Sequence, residues 1–176
     1  MNAIAKAYEV FVRILNSLQS PFLLVVRLFW GYQFGVTGWG KLHNLDGVTK
    51  FFASLNIPFP SANAHLVACA EFFGGILLAL GLFSRPVALL LTSTLTVAYL
   101  TDDRAALMSL FSLDQDKFYK ADPYPFLFAV LVILIFGPGK FALDTLVARW
   151  YASRGNRNSD RPVWRSFLRF PATSTP

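Results

Sequence analysis

Two charged side chains lie inside long apolar stretches of the sequence and are the first candidates for chemistry. Arg27 falls in the first such stretch and Glu71 in the second. A charge that faces lipid is costly, so each should face the interior of a helix bundle and have a partner. The simplest partner for each is the other. Side chains on antiparallel helices lean in opposite directions, however, so water, a tyrosine or backbone carbonyls remain alternative partners.

Glycines share the helix faces that carry these two charges. Small residues let membrane helices approach closely, so the pattern predicts that the first two spans pack against each other. One interpretation is structural, a buried ion pair that fixes the register of the helices. The other is functional, a polar pocket for a ligand head group or a path for protons. The glycines are Gly31, Gly35 and Gly38 near Arg27, and Gly74 and Gly75 near Glu71.

A few other polar residues stand near these stretches. Tyr99, in the third stretch, is the hydroxyl best placed to reach Glu71 or a ligand carbonyl. Lys41, at the end of the first stretch, could hold an anionic group near the mouth of a pocket. His43 and His65 are the only histidines and fall near helix ends, so we expect no haem or metal site. The sequence carries no phosphate-binding or dinucleotide-binding motif.

The elements that must position these residues are membrane helices. Hydrophobic residues make up 55% of the 176 residues and charged residues only 15%, against about 25% in soluble domains. About 20 apolar residues cross the hydrocarbon core of a bilayer, and four stretches reach or approach that length. The sequence therefore predicts an all-α membrane protein, with a four-transmembrane-helix bundle over residues 20–146. The stretches are 21–42, 64–83, 86–101 and 123–139.

The segments that flank the bundle are amphipathic or basic. Residues 1–19 repeat apolar side chains at spacings of three and four, which predicts an amphipathic helix at the membrane interface. Residues 147–176 form a basic tail, which we expect to be partly disordered. Ten Lys and Arg residues on the side of the termini, against five on the other, predict that both termini are cytoplasmic. The charge therefore suits the face of a bacterial-type inner membrane, and we expect no nucleic-acid partner.

Four sequence motifs occur in order across residues 21–146 and include Arg27, Lys41 and Glu71. They are RLFWG (27–31) running on to GWGKL (38–42), FF (51–52) running on to IPFP (57–60), AEFFGGILLALGL (70–82) closing on Arg85, and FGPGKFALD (136–144). Together these motifs resemble those of the DoxX family of small membrane proteins. The resemblance implies a four-helix integral membrane domain.

The resemblance also implies a role in quinone-linked or thiol-linked redox chemistry. Arg27, Glu71 and Tyr99 would then form the polar end of a pocket, with Lys41 at its mouth. The chain itself carries no evident electron carrier, so a quinone or a redox partner subunit would supply one. If the complex is an enzyme, this chain would be an oxidoreductase subunit that contacts the lipid bilayer and could form a homo-oligomer. The residues fit two alternatives equally well: a non-enzymatic membrane binder or transporter of a small amphiphile or ion, and a structural scaffold.

Overall fold

The computed structural model describes residues 3–111 and 116–155 of the chain. This part of the protein consists of helices joined by short turns and contains no β-strand, which confirms the prediction of an all-helical protein. The helices are α1 (Ala3–His43), α2 (Leu45–Ser54), α3 (Pro60–Leu80), α4 (Ser84–Thr101), α5 (Arg104–Ser109), α6 (Asp116–Lys120), α7 (Pro123–Phe136) and α8 (Leu143–Gly155).

Large apolar side chains cover the outside of the longest helices. Phe22, Phe29 and Tyr32 of α1 are 54–68% exposed, and Phe73 of α3 and Phe128 of α7 are exposed to a similar degree. Among the described residues, α1 and α3 are long and apolar enough to cross a membrane, and α7 is a shorter apolar helix. Such a surface is suited to lipid rather than to water. The prediction of four spans stays a prediction.

Four helices pack around one apolar core. α1 lies against α3, α3 against α4, α4 against α7, and α7 against α1. Leu78 of α3 and Leu91 of α4 are fully buried at its centre. Burial of this kind removes apolar surface from contact with the surroundings and holds the helices in one register. The remaining buried core side chains are Phe34, Val87, Ala88, Leu95, Val130 and Ile133.

Glycines bring α1 and α3 into backbone contact. A Cβ atom added at Gly38 would lie 2.7 Å from the Cα of Phe72, and one added at Gly31 would lie 2.7 Å from the carbonyl oxygen of Gly75. A Cβ atom at Gly75 would in turn meet the backbone nitrogen of Gly35 at 2.5 Å. The structure therefore places these glycines at the crossing of the two helices.

Two of the five predicted packing glycines behave differently. A Cβ atom at Gly35 would have no neighbour within 4 Å, so only its backbone takes part in the contact. Gly74 faces α4 instead of α1, and a Cβ atom there would stand 3.3 Å from Leu91 Cδ2. A side chain could be accommodated at both positions more easily than at Gly38.

The N-terminal segment is continuous with the first predicted span. Helix α1 has 41 residues and runs without interruption through Pro21, which gives a length of about 60 Å at 1.5 Å per residue. No break separates residues 3–19 from the bundle at the predicted boundary, and side chains 4–19 are almost all exposed. Their position at the membrane interface stays a prediction. At the other end, residues 147–155 of the predicted tail belong to α8, and residues 156–176 lie outside the described residues.

Candidate functional site

Arg27 is fully buried and binds backbone carbonyls. Its Nη1 donates a hydrogen bond of 2.7 Å to the carbonyl oxygen of Pro138, and its Nη2 donates one of 2.9 Å to that of Phe141. The chain turns here through Gly137 and Gly139, both at positive φ, which most other residues adopt only with strain. Of the partners that the sequence leaves open for Arg27, the structure shows backbone carbonyls and not Glu71, because the guanidinium group binds the segment that follows α7.

Asp144 joins the same segment to the turn between α3 and α4. Its carboxylate accepts hydrogen bonds from the backbone nitrogens of Phe83 and Ser84, at 2.8 and 2.9 Å, and from the Ser84 hydroxyl at 3.0 Å. Its own backbone nitrogen donates to the carbonyl oxygen of Gly81 at 2.9 Å. These bonds satisfy the free N–H groups that begin α4. We call Arg27 with residues 81–84 and 137–144 the Arg27 cluster.

Glu71 pairs with Lys41 instead. The Lys41 Nζ atom lies 2.5 Å from Glu71 Oε1, and the carboxylate side chain is only 7% exposed while that of Lys41 is 35% exposed. The second carboxylate oxygen, Oε2, is buried and has no hydrogen-bond partner. Gly38 sets this geometry because its close approach to Phe72 brings the end of α1 beside Glu71. A buried carboxylate oxygen without a partner is costly, so this site is suited to a ligand or a water molecule.

The Lys41–Glu71 pair lines a cavity of about 880 Å³ between α1, α2, α3, α4 and α7. That volume lies within the range of about 300–1,000 Å³ that is typical of small-molecule sites. We call it the Lys41 cavity. Its apolar wall includes Phe34, Phe51, Phe52, Leu66 and Phe126, and its polar groups include Thr37, Asn63, Thr94, Asp102 and Asp122.

Carboxylates gather where α4 ends and α7 begins. Asp102 and Asp122 line the Lys41 cavity, and Asp103 stands beside them in the turn before α5. Burial raises the pKa of Asp103, and the negative charges of Asp102 and Asp122 raise it further. This end of the molecule therefore combines one buried ion pair with a group of acidic side chains.

Tyr99 is buried outside the Lys41 cavity. Its hydroxyl donates a hydrogen bond of 3.1 Å to the carbonyl oxygen of Phe118, and its ring stacks on the Phe118 ring at 5.0 Å between centroids. The hydroxyl does not reach Glu71, because it bonds to the connection between α4 and α7. Its contact with a ligand carbonyl stays a prediction.

The histidines bond to their own helices. His43 Nδ1 lies 2.9 Å from the carbonyl oxygen of Trp39, and His65 Nδ1 lies 2.8 Å from that of Ser61. In the part of the chain that the structure describes, no three His, Cys, Asp or Glu side chains stand close enough to hold a metal ion.

Sequence analysis misses the residues that complete both sites. Asp144 belongs to the FGPGKFALD motif, and its position shortly after two glycines is a usable signal for a cap. Phe51 and Phe52 stand in a motif to which the sequence assigns no role, and the structure makes them the α2 wall of the cavity. Asn63 carries no pattern of its own, and only the fold reveals that it lines the cavity.

Comparisons with known proteins agree with this architecture. The DoxX family model matches residues 22–103. "Putative oxidoreductase CatD" of Bacillus subtilis is 36% identical over 78 residues, which are 44% of this chain and 57% of CatD. Inner membrane protein YphA of Escherichia coli is 35% identical over 68 residues, 39% of this chain and 49% of YphA. Inner membrane protein YqjF of Escherichia coli is 25% identical over 139 residues, 76% of this chain and 97% of YqjF.

The chain thus spans about half of the length of CatD and of YphA. No solved structure matches it. The matched segment includes Arg27, Lys41 and Glu71, while residues 137–144 of the Arg27 cluster lie outside it. The family and the names of two relatives assign the chain to the inner membrane as an integral protein. The resemblance found in the sequence motifs is confirmed over residues 22–103, which match the DoxX family model.

Proposed function

We propose that this protein is the membrane-embedded subunit of a redox-associated complex and that it binds a quinone head group in the Lys41 cavity. One observation carries the proposal: an apolar cavity of about 880 Å³ is lined by a buried carboxylate with an unpartnered oxygen. The oxidoreductase name of the Bacillus subtilis relative supports the redox association. The same proposal includes the possibility that the chain docks a catalytic partner subunit, whose redox chemistry would be linked to a quinone or to thiols.

The residues of the cavity fit a quinone. The Lys41 ammonium group is partly exposed and can donate a hydrogen bond to a ring carbonyl of the quinone. Glu71 Oε2 can accept one from a ring hydroxyl of the reduced form, the quinol. Phe51, Phe52 and Phe126 supply apolar and aromatic surface for the ring. A bound quinone would supply the electron-carrying chemistry of the complex, while the residues of this chain bind and orient it.

The proposal places the cavity near the outer surface of the membrane. In this arrangement α1, α3, α4 and α7 form the four-transmembrane-helix bundle, and both termini are cytoplasmic, as the excess of Lys and Arg near the termini predicts. The Arg27 cluster then lies towards the cytoplasmic side and the Lys41–Glu71 pair towards the opposite side. A ligand could enter the cavity from the outer part of the bilayer.

Quinone binding tests the proposal directly. We would reconstitute the full chain in lipid nanodiscs and titrate it with decylubiquinone and with a short-chain menaquinone by isothermal calorimetry. Loss of one charge-assisted hydrogen bond, worth about 1.5–3 kcal/mol, predicts that Lys41→Met weakens binding about 10-fold to 100-fold. Lys50→Met is the matched control, because Lys50 is exposed on α2 and is not part of the cavity wall.

Three outcomes separate the hypotheses. Binding that is lost in Lys41→Met and kept in Lys50→Met supports the proposal. A folded wild-type protein that binds neither quinone contradicts it and favours a binder of another amphiphile or ion. If Glu71→Gln lowers the melting temperature and no ligand is found by native mass spectrometry of protein released gently from its own membrane, the scaffold hypothesis is favoured. The same spectra would identify a co-released redox subunit by its mass.

A further inference from the structure

Helix α1 carries a stripe of exposed apolar side chains along its whole length. From Ile4 to Trp39 a large apolar residue recurs after alternating steps of four and three residues, which gives eleven positions without an interruption. Every one of them is between 49% and 84% exposed. The first five are Ile4, Tyr8, Phe11, Leu15 and Leu18, and the same steps continue from Phe22 onwards.

The stripe lies opposite the face that α1 uses for its own fold. The buried residues of α1, such as Leu23, Arg27 and Phe34, point towards α3 and α7. Lys6 and Arg13 stand on the same line of the helix as Arg27, seven and fourteen residues apart along the chain. The stripe is therefore free of charge, and within the described part of the chain its side chains stay at least 49% exposed, with Trp39 at its end in contact with Phe72 of α3.

Contact with lipid explains the exposed apolar side chains in only half of this stripe. The helix is about 60 Å long, while the hydrocarbon core of a bilayer is about 30 Å thick. If residues 21–42 cross the membrane and α1 stays straight, residues 4–18 extend about 20 Å beyond it. Their stripe would then face water, although it has the same spacing and the same apolar character as the stripe inside the membrane.

The spacing itself points to a partner helix. A repeat of 3.5 residues drifts by about 20° per heptad around a straight α-helix, and it stays on one line only when two helices supercoil. Contact with lipid does not require this period. Alternating steps of three and four residues over about five heptads are the signature of the a and d positions of a coiled coil.

We propose that the α1 stripe is the seam of a parallel coiled coil with a second copy of this chain. Copies inserted in one membrane share one orientation, so a two-fold axis along α1 brings each stripe position against its own equivalent. The positions that flank the stripe, including Val12, Gln19 and Gln33, carry no charge that would select a different partner.

The area of the stripe is sufficient for a stable dimer. Aromatic side chains bury about 150–250 Å² each when fully covered, aliphatic ones bury less, and those of the stripe are about half exposed or more. The eleven side chains offer about 1,000 Å² per copy, against about 800 Å² per partner in an interface of standard size. About half of this area is removed from water, and the other half is packing between helices within the membrane. Helix α1 thus provides a dimer interface that leaves the Lys41 cavity open.

Disulfide crosslinking in native membranes tests the seam. Cysteines would be introduced one at a time into the full chain carrying Cys69→Ala, at Tyr8 and Leu15 on the seam and at Glu9 and Asn16 immediately beside it. Disulfides need Cβ atoms about 3.5–4.5 Å apart, so after copper–phenanthroline oxidation we expect at least ten times more covalent dimer from Tyr8→Cys and Leu15→Cys than from Glu9→Cys and Asn16→Cys. The wild-type chain, with Cys69 alone, gives the background.

Native mass spectrometry in nanodiscs provides a second measurement. The wild-type chain should appear at twice its mass of 19.7 kDa. Leu15→Asp should appear as a monomer with an unchanged melting temperature, because Leu15 lies on the exposed face of α1, and Asn16→Asp should remain a dimer. Equal crosslinking at seam and control positions, or a wild-type monomer, overturns the proposal and favours an N-terminal segment that bends at Pro21 and lies on the membrane surface.

Discussion

Replacement of Gly38 by alanine should separate α1 from α3 and disturb the Lys41–Glu71 pair. The new Cβ atom would collide with the backbone nitrogen of Phe72 and would stand 2.7 Å from the Cα of Phe72 and 2.9 Å from the carbonyl carbon of Glu71. Carbon atoms prefer separations of about 3.5–4.0 Å, so the helices must move apart by about 1 Å. All three obstructing atoms belong to the backbone and cannot rotate away.

The expected cost follows from this overlap. Overpacking typically costs about 1–3 kcal/mol, and the backbone contacts place Gly38→Ala at the upper end of that range. For a chain of this length, about 3 kcal/mol corresponds to a fall in melting temperature of about 6–12 °C. Gly35→Ala is the matched control on the same helix, since its Cβ atom meets nothing within 4 Å. Alanine there should leave the stability unchanged or raise it by up to about 1 kcal/mol.

Tryptophan fluorescence during thermal unfolding in detergent provides the measurement. Gly74→Ala should fall between the other two variants, because its Cβ atom meets only the movable side chain of Leu91 at 3.3 Å. The fall in melting temperature on substitution by alanine should thus increase in the order Gly35, Gly74, Gly38. If Gly38→Ala melts within about 2 °C of Gly35→Ala, the close crossing of α1 and α3 is not as described and the reasoning fails.

Three further predictions concern the charged groups. Arg27→Met should lower the free energy of unfolding by about 3 kcal/mol or more, because two hydrogen bonds from a charged donor are lost. Arg27→Lys should be destabilised in the same melts, because a lysine ammonium group cannot reproduce the two parallel donors of the guanidinium group. Double-mutant cycles of alanine variants should give a coupling energy of about 1–3 kcal/mol for Lys41 with Glu71 and below about 0.5 kcal/mol for Arg27 with Glu71. Equal coupling energies would contradict the assignment of Arg27 and Glu71 to separate sites. Because the pKa of Asp103 is raised, the folded state binds the proton of this carboxyl group more tightly than the unfolded state does. The ionised carboxylate therefore destabilises the fold at neutral pH, and this destabilisation fades as the pH falls. Asp103→Asn should therefore melt higher than wild type at pH 7, with a difference that shrinks towards pH 4, and a constant difference would count against the cause given.

The sequence predicts the helices of this protein better than the partners of its charges. Apolar length and composition indicate an all-helical membrane protein, and the glycine pattern identifies the faces at which α1 and α3 meet. Arg27 does not pair with Glu71 because it bonds to carbonyls more than 110 residues away. Backbone acceptors of this kind leave no mark in the pattern of side chains. The opposite lean of side chains on antiparallel helices is a correct sign that the two charges point to different ends of the bundle.

Glu71 shows why the site itself is harder to predict than the fold. Its partner, Lys41, stands at the end of an apolar stretch, where a lysine normally extends to water and needs no partner. Only the close crossing at Gly38 brings the two side chains together, and that crossing depends on the three-dimensional path of both helices. The cavity walls supplied by α2 depend on the turn at Asn44, the residue before α2. Asparagine is common at such a position, but it does not reveal which way α2 runs.

The two polar clusters on α1 differ in a way that assigns them different tasks. In the Arg27 cluster, Arg27 is 0% exposed and both terminal nitrogens of its guanidinium group donate to carbonyl oxygens of the chain itself. The cluster holds together three segments that are distant in sequence. The Lys41–Glu71 pair is incomplete: its lysine is partly exposed, one carboxylate oxygen lacks a partner, and a cavity adjoins it. Arg27 Nε also lacks a hydrogen-bond partner, but Arg27 does not line the Lys41 cavity, whereas Glu71 does. A buried oxygen without a partner gains from a ligand where a cavity gives the ligand access to it. Arg27 therefore stabilises the fold, and ligand binding is to be sought at Lys41 and Glu71.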